Sequence, residues 1–546
     1  MIHYPIGEIL MEMGAVTAAQ LEAALHVQSA SGLKLGEILL QLNFATPKEL
    51  ARSMALQQER DYTDLETLVP QKEALAAVGM EFAQLNLILP LKVEARTLDV
   101  AAADPDDDLR DVLEEMTGLT PRFSISEPQS LARHIQRYYE ALESPFEERI
   151  AAIVSGTPKK ADIVGLSDLI IRHAITERAS DIHITPETLS THVFFRIDGV
   201  LHHYYALPPA FHYPLLTHMK VQGKLDVIEN LKSQSGEFSV TFPEDRYAVR
   251  ISTVPTIKGE KAALRLLSTS SAIYNLQELG FEEEMMERIE RQLRKNSGLL
   301  LLVGPSGSGK TTTLYSLMRK VDILGQNVMS IEEPVEFKLP FISQLEVNRH
   351  TGLTFAAGLR HIARQDPDVI VIGEILDKET GQLAIQDALG GHLILSTMFG
   401  SRFQSVITKL KNLPINSHVL ADGLNAILSQ RLIRRLCPHC KEAVEVDRET
   451  LQEHLPAAAA LPGDATYRLY RHVGCDHCKQ SGYLGRIALC ELLEIDKEVR
   501  QMIRTDRESH ELDAYLAAQQ VKSLEEDALA KLLQGITDIA EITRLF

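Results

Sequence analysis

The chain switches between two spacings of apolar residues, and the switches mark out its parts. Over the first sixty residues the spacing is helical and occurs twice. Ile6-Gly7, Leu10, Gly14, Leu21, Leu25 and Gln28 recur as Leu35-Gly36, Leu39, Asn43, Leu50, Met54 and Gln57. Each copy fits two short amphipathic helices joined near Gly14 or Asn43. Thr17 with Gln20, and Thr46 with Glu49, have capping-box spacing at the start of each second helix. The expectation is a helical tandem-repeat module over residues 1–60. From 61 to 143 strand-like and helical runs alternate, which predicts a small α/β domain. Leu87–Val93 and Thr97–Ala102 read as a hairpin, and Asp104–Asp108 as an acidic cap on a helix reaching Met116. Phe123–Ile125 reads as a further strand, with a helix from Gln129. The aspartates lack EF-hand spacing, so a solvated cap is expected and not calcium. Residues 144–163, with Pro145, Gly156, Pro158 and a lysine pair, read as a linker.

Residues 164–275 change to a helix followed by strands. Leu166–Arg178 is amphipathic, Ala179–Ile184 opens a strand, and His192–Ile197 alternates up to Asp198-Gly199, a two-residue hairpin turn. Tyr247–Thr253 and Lys261–Leu267 read as later strands of the same sheet. Residues 276–546 carry the most informative pattern. The unbroken apolar run Leu299–Val303 leads into Gly304-Pro305-Ser306-Gly307-Ser308-Gly309-Lys310-Thr311-Thr312, and Lys310–Val321 is helix-compatible. Strand, glycine-rich loop and helix, in that order, form the setting in which G-x-x-x-x-G-K-[ST] cradles a polyphosphate. The glycines let amide groups crowd around it, and the helix turns its positive end toward it. Lys310 would reach the β- and γ-phosphates, and the Thr311 hydroxyl would hold Mg²⁺. Two further apolar strands end in acids: Val328–Ile331 in Glu332-Glu333, and Val369–Ile372 in Gly373-Glu374. Acids at the carboxyl ends of parallel strands face the ligand crevice of an α/β sheet. Glu374 is therefore expected beside the metal and the attacking water.

Composition narrows the choices. A formal net charge of −19 over 546 residues argues against sequence-independent nucleic-acid binding, so no nucleic-acid partner is expected. No apolar stretch approaches a membrane span, and Glu8 and Glu12 interrupt the N-terminus where a signal peptide would be apolar, so a cytoplasmic location is expected. Four of the five cysteines form two C-x-x-C pairs, Cys437 with Cys440 and Cys475 with Cys478. That is the donor set of a closed tetrahedral Zn²⁺ site, with the stretch between them forming a loop of its own structure. Cys490 lies in an apolar run and is expected to be a buried small hydrophobe.

The order of motifs resembles one family. ASDIHI from Ala179, FRIDGVL from Phe195, KLDV from Lys224, RISTVPT from Arg250 and LRLL from Leu264 look like the pre-core domain of type II secretion and type IV pilus assembly ATPases. The P-loop, the acids after Val328–Ile331 (an aspartate box), Glu374 (Walker B) and Gly391-His392-Leu393-Ile394-Leu395-Ser396-Thr397 (a histidine box) follow in that family's order, with the cysteine insert, residues 437–478, last. The resemblance implies a multidomain α/β chain: an MshE-type helical module, a small α/β domain, a PAS-like pre-core domain, and a RecA-like P-loop domain with a zinc insert and a helical C-terminus. It implies an ATPase using ATP and Mg²⁺, assembled as a homo-hexamer on an inner-membrane platform protein. It gives Glu332 the role of orienting water, His392 that of sensing the γ-phosphate, and Arg196, Arg250 and Arg265 that of supplying cations to the transition state.

The chain departs from the pattern at several places. Leu376 stands where the family has an arginine, and Met398-Phe399-Gly400-Ser401 where it has Leu-His-Thr-Asn. Leu231–Glu237 replaces Arg-x-Pro-Gln-Asp-Gly-Arg, with Glu237 at the second arginine, and Phe195 stands where a further arginine is common. ATP binding with slow hydrolysis is expected, with a nucleotide-binding regulatory or scaffolding paralogue as the rival reading. The tandem module resembles a cyclic-di-GMP-binding domain whose copies open with Arg-Leu-Gly, but Pro5 and Lys34 replace those arginines and Asn43 the second glycine. Lysine does not reproduce the planar fork of arginine, so cyclic-di-GMP binding and a docking module without nucleotide both stay open. A calorimetric titration with cyclic-di-GMP separates them: heat at micromolar ligand for the first, none for the second.

Overall fold

The computed structural model describes residues 5–143, 145–158, 161–243, 245–268, 274–400, 402–412, 415–462, 466–505 and 509–546. The lysine pair of the expected linker and Ser401 lie outside these residues. The chain divides into two units, residues 1–16 with 47–272 and residues 17–46 with 273–546.

The tandem repeat folds as Ile6–Glu12, Ala18–Ser31, Leu35–Gln41 and Pro47–Gln57. Both joints are left-handed, with φ +67° at Gly14 and +54° at Asn43. Asparagine can replace the glycine because its short polar side chain tolerates this region. Thr17 and Gln20 make the reciprocal capping box.

In the first unit, Ile88–Glu94 pairs antiparallel with Thr97–Ala102, which pairs parallel with Thr120–Ile125. The crossover helix Asp107–Thr117 is capped by the Asp106 carboxylate accepting from Leu109 N–H, the solvated cap read from the sequence. The segment expected as a linker is different. Phe146–Val154 is a helix, and Phe146 and Ile150 are buried in the same core as Leu166 and Ile170. Phe146 also stacks on His173 at 4.5 Å. An apolar pair one helical turn apart anchors this stretch, and the proline and glycine around it merely bound the helix.

A six-stranded antiparallel sheet follows, in the order Val200–Leu207, Thr191–Ile197, Asp181–Pro186, Gly259–Ser268, Asp245–Thr256 and Gln234–Phe242. Asp198 and Gly199, at φ +48° and +84°, make a two-residue hairpin turn, as their order in the sequence predicts. One face packs against the helices Ile163–Thr176 and His212–Gln222, while the other is polar. The edge strand Gln234–Phe242 turns Phe238, Val240 and Phe242 toward the core by alternation, with only Phe242 fully buried, and its first half, Gln234–Glu237, has no apolar residue to mark it in the sequence. Glu66 accepts hydrogen bonds from Arg133 and, at 2.9 Å, from Arg178, tying the small domain to the turn before this sheet.

The second unit is built on a seven-stranded sheet in the order Ser343–Glu346, Val328–Glu332, Val369–Ile372, Leu393–Phe399, Gly298–Gly304, Leu424–Leu436 and Tyr483–Glu494. Neighbours run parallel except at the last strand. The three strands read as apolar runs are buried throughout, as strands covered on both faces must be. The stretch between the cysteine pairs forms the hairpin Glu442–Asp447 with Thr466–Arg471, plus a helix Arg448–His454 and a 3₁₀ turn Pro456–Ala460. Cys490 is buried in the last strand. Arg319, in the last turn of the helix Lys310–Lys320, donates to the carbonyls of Asn43 at 3.2 Å and Phe44 at 2.8 Å, and Phe44 stacks on Phe341.

Burial disfavours the charged form of Glu66, but Arg178 and Arg133 outweigh it and hold the carboxyl below the usual carboxylate range. A depressed folded pKa gives stability that is complete above the unfolded value of about 4.3 and is lost as pH falls through the folded one. Glu66→Gln should therefore cost roughly 3 kcal/mol at neutral pH and blunt the loss of stability below about pH 4. Urea titrations followed over a pH series check both. At Gly298, φ is +108° and a Cβ would run into the Asn425 amide. Gly298→Ala should lower the thermal midpoint of the nucleotide-site domain by several degrees, read by calorimetry, from about 2 kcal/mol of strain.

Candidate functional site: the P-loop edge and the cysteine cluster

The parallel strands end at one edge of the sheet, and the loops there build the site. Gly304 closes the first strand with no room for a side chain, because a Cβ would strike Ser308 Oγ and the Gln430 carbonyl. Gly307 and Gly309 take φ +73° and +86°, and Gly309 is the N-cap of the helix Lys310–Lys320. These left-handed turns suit glycine and curl the backbone into a loop ahead of the helix. A residue absent from the sequence reading braces it. The buried Gln430 amide donates to Ser308 O at 2.8 Å, and its oxygen accepts from the Thr313 hydroxyl at 2.8 Å. A glutamine two residues past the apolar run Ala426–Leu428, in the same strand, is the available clue.

Lys310 is 9% exposed, and its ammonium donates to Gly304 O at 2.9 Å and Pro305 O at 3.0 Å. It also lies 4.4 Å from the centre of the Phe399 ring. Burial lowers its pKa while Glu374 opposes that shift. Burial raises the Glu374 carboxyl in turn, with Lys310 opposing, and Glu374 Oε1 has no hydrogen-bond partner among the described residues. The Glu374 backbone is clamped from the neighbouring strand: Thr397 Oγ1 donates to Gly373 O at 2.8 Å, and Ile375 N donates to Thr397 O at 2.9 Å. A lysine and a carboxylate thus share one partly dehydrated corner, beside the curled loop and the head of a helix. Gly304–Thr312 and Glu374 stand where the sequence places them.

Two sequence-based roles need correction. Glu332 does end its strand at this edge, but both its oxygens are taken. Tyr315 donates to Oε2, and Ser330 at 2.6 Å and Gln344 at 3.2 Å donate to Oε1. The Tyr315 hydroxyl also accepts from the amides of Glu336 and Phe337. A carboxylate so tied, with three of its roughly four acceptor positions used, braces the following loop. Glu333 is bound in a two-pronged pair to Arg349, which lowers its pKa. His392 is at the wrong end of its strand. Leu393 pairs with Gly298 and Phe399 with Gly304, so His392 precedes the strand at the edge opposite the P-loop, about 20 Å away at some 3.3 Å per residue. Its Nδ1 and backbone N–H both approach Asp387 O, and its carbonyl accepts from Gly298 N. Phe399 is the residue of that segment at the site.

Arg196, Arg250 and Arg265 belong to the other unit, on the polar face of its six-stranded sheet. Strand register sets them in one row: Arg196 opposite Asp181, Asp181 opposite Arg265, Arg265 opposite Arg250, and Arg250 opposite Glu237. Arg265 bonds Asp181 at 3.0 Å and Arg250 bonds Glu237 at 3.2 Å. The acid that replaces a family arginine thus holds one of the remaining three. Phe195 is buried in the core and Leu376 is half-exposed.

The four Sγ atoms of Cys437, Cys440, Cys475 and Cys478 lie within 4.8 Å of one another, and three of the pairs are 3.7–3.9 Å apart. Four sulfurs at 2.3 Å from one Zn²⁺ in a tetrahedron would be about 3.8 Å apart, so the cluster fits that ion. Gly474 N and Gly482 N donate to Cys440 and Cys478 sulfurs, as amides do to thiolate ligands.

The family model described as type II/IV secretion system protein matches residues 157–544, and the MshEN domain model matches residues 59–145. The second match falls on the small α/β domain, beyond the tandem repeat. The chain is 34% identical to the type IV pilus assembly ATPase PilB of Thermus thermophilus over 98% of its own length, spanning 65% of that relative. It is 31% identical to the PilB of Myxococcus xanthus, covering 98% of both chains. The X-ray structure of the Legionella pneumophila ATPase DotB superposes with a TM-score of 0.51 at 20% identity, covering 69% of this chain and 94% of that one, a likeness of fold. Among the described residues no helix is long and apolar enough to cross a membrane.

Protein purified under reducing conditions should carry one zinc per chain by elemental analysis, and a Cys440→Ser, Cys478→Ser double variant should lose it. Gln430→Leu, which keeps the bulk but cannot bridge Ser308 to Thr313, should weaken binding of a fluorescent nucleoside triphosphate about tenfold with zinc content unchanged.

Proposed function

The chain belongs to the type II/IV secretion system protein family, and on that premise we propose that it is an ATPase powering assembly of a type IV pilus or a type II secretion pseudopilus. The observation that carries this reading is the curled loop Gly304–Gly309 at the head of a helix, with the buried Lys310 ammonium held by the carbonyls of Gly304 and Pro305 and a Glu374 oxygen without a partner among the described residues at the same sheet edge. The amides of Gly304–Gly309 and the head of the helix Lys310–Lys320 take the phosphates. Lys310 exchanges its two carbonyl acceptors for β- and γ-phosphate oxygens, and Thr311 would hold the Mg²⁺ that neutralises charge on them. Glu374, with one unpartnered oxygen, orients the attacking water and accepts its proton, and its raised pKa suits a base. Glu332, Tyr315, Ser330 and Gln344 keep the next strand end rigid around it. Arg196, Arg250 and Arg265 are kept as candidate cations for the γ-phosphate. Leu376, Phe399 and Glu237 stand where the resemblance has an arginine, a histidine and an arginine, so turnover is slow.

We take the working form to be a hexameric ring at an inner-membrane platform protein, with the six-stranded domain as the PAS-like pre-core domain. The tandem helices are read as a docking or dinucleotide-sensing module.

Steady-state phosphate release tests the reading. The full chain should hydrolyse MgATP measurably, and Glu374→Gln should lower the rate at least about 100-fold while still binding a non-hydrolysable analogue. Glu332→Gln should lower the thermal midpoint first. A Glu374→Gln protein as active as the parent would remove Glu374 from the mechanism.

A further inference from the structure

Phe399 is the last residue of its strand, paired in register with Gly304 at the lip of the P-loop. Its ring lies against the ammonium of Lys310 at 4.4 Å, while the same ammonium donates to Gly304 O and Pro305 O. Lys310 is 9% exposed, so it has given up most of its water. The negative face of an aromatic ring replaces part of that lost solvation; Phe399 is 43% exposed, so the shielding comes from the burial of the lysine. The lysine of this P-loop is therefore held by two carbonyls and one apolar ring, where the Leu-His-Thr-Asn of the resemblance would set a polar imidazole able to carry positive charge beside the ammonium.

We propose that Phe399 is a positioning residue for Lys310: its ring holds the P-loop ammonium against the loop's own carbonyls and so sets how readily the site takes a magnesium–triphosphate. This rests on the ATPase reading above. The incoming phosphates compete with the ring and the carbonyls for one cation. Removing the ring face leaves the carbonyls in place, so the lysine is freed toward both phosphate and solvent. Leucine keeps the apolar bulk without the π face, whereas tyrosine keeps the face.

Two readouts on the full zinc-loaded chain separate this proposal from the reading it rests on. The first needs no nucleotide: the rate at which an amine-acylating reagent modifies Lys310, followed by mass spectrometry. Phe399→Leu should raise that rate roughly threefold or more, and Phe399→Tyr should leave it near the parent value. The second is the dissociation constant of a fluorescent ATP analogue with Mg²⁺. Phe399→Leu should bind roughly three- to tenfold more tightly, and Phe399→Tyr like the parent. Phe399→Met serves in the same comparison if the leucine variant does not fold. Leucine and tyrosine variants that behave alike in both readouts, or a leucine variant that binds more weakly, would overturn the proposal. A parent chain that binds no analogue would defeat the ATPase reading, while the acylation rates would still judge the contact between ring and ammonium.

Discussion

Parallel strands joined by helices share one direction, so the loops at their carboxyl ends meet at a single edge. That constraint assembles this site. Gly304, Glu332, Gly373-Glu374 and Phe399 are far apart in sequence, yet each ends a strand of one sheet at the same edge. The curl of Gly304–Gly309, the buried Lys310 and the Glu374 carboxylate then need only short-range devices. These are two left-handed glycines, a glutamine brace from the next strand and a threonine clamp on Gly373.

The same constraint shows which parts of the site were legible in the sequence. The P-loop was, because its motif spans a strand end and a helix start, and both are local. Glu374 was, because four apolar residues deliver it. His392 was misplaced although its position was readable: it precedes the apolar run Leu393–Leu395, and a residue before a parallel strand lies at the opposite edge from one after it. The position of Glu332 is legible in the sequence, but nothing there announces that Tyr315, Ser330 and Gln344 converge on its carboxylate. The arginine row depends on strand register between four pairs of strands, which no single-sequence pattern contains.

At the level of the fold, local chemistry carried far. The Thr17–Gln20 box, the Asp106 cap, the Asp198-Gly199 hairpin and the left-handed Asn43 are all fixed within a few residues. The helix Phe146–Val154 was missed because flanking proline and glycine suggested a tether, while its apolar pair makes sense only against the core it enters. The edge strand Gln234–Phe242 is harder to read because its apolar alternation is confined to Phe238, Val240 and Phe242, while Gln234–Glu237 carries none. The tandem repeat matters beyond its own stability. The joint of its second copy offers two carbonyls to Arg319 on the P-loop helix, so the nucleotide helix and the repeat share a contact within one unit.

The central claim is that a triphosphate nests in the amides of Gly304–Gly309 beside Lys310 and Glu374. Hydrogen–deuterium exchange of the full chain, with and without MgADP or a non-hydrolysable MgATP analogue, reads those amides directly. The account predicts slowed exchange in peptides spanning the P-loop and the start of its helix, and in the segment after Val369–Ile372. Unchanged exchange there at saturating nucleotide, or protection confined to other segments, would contradict it.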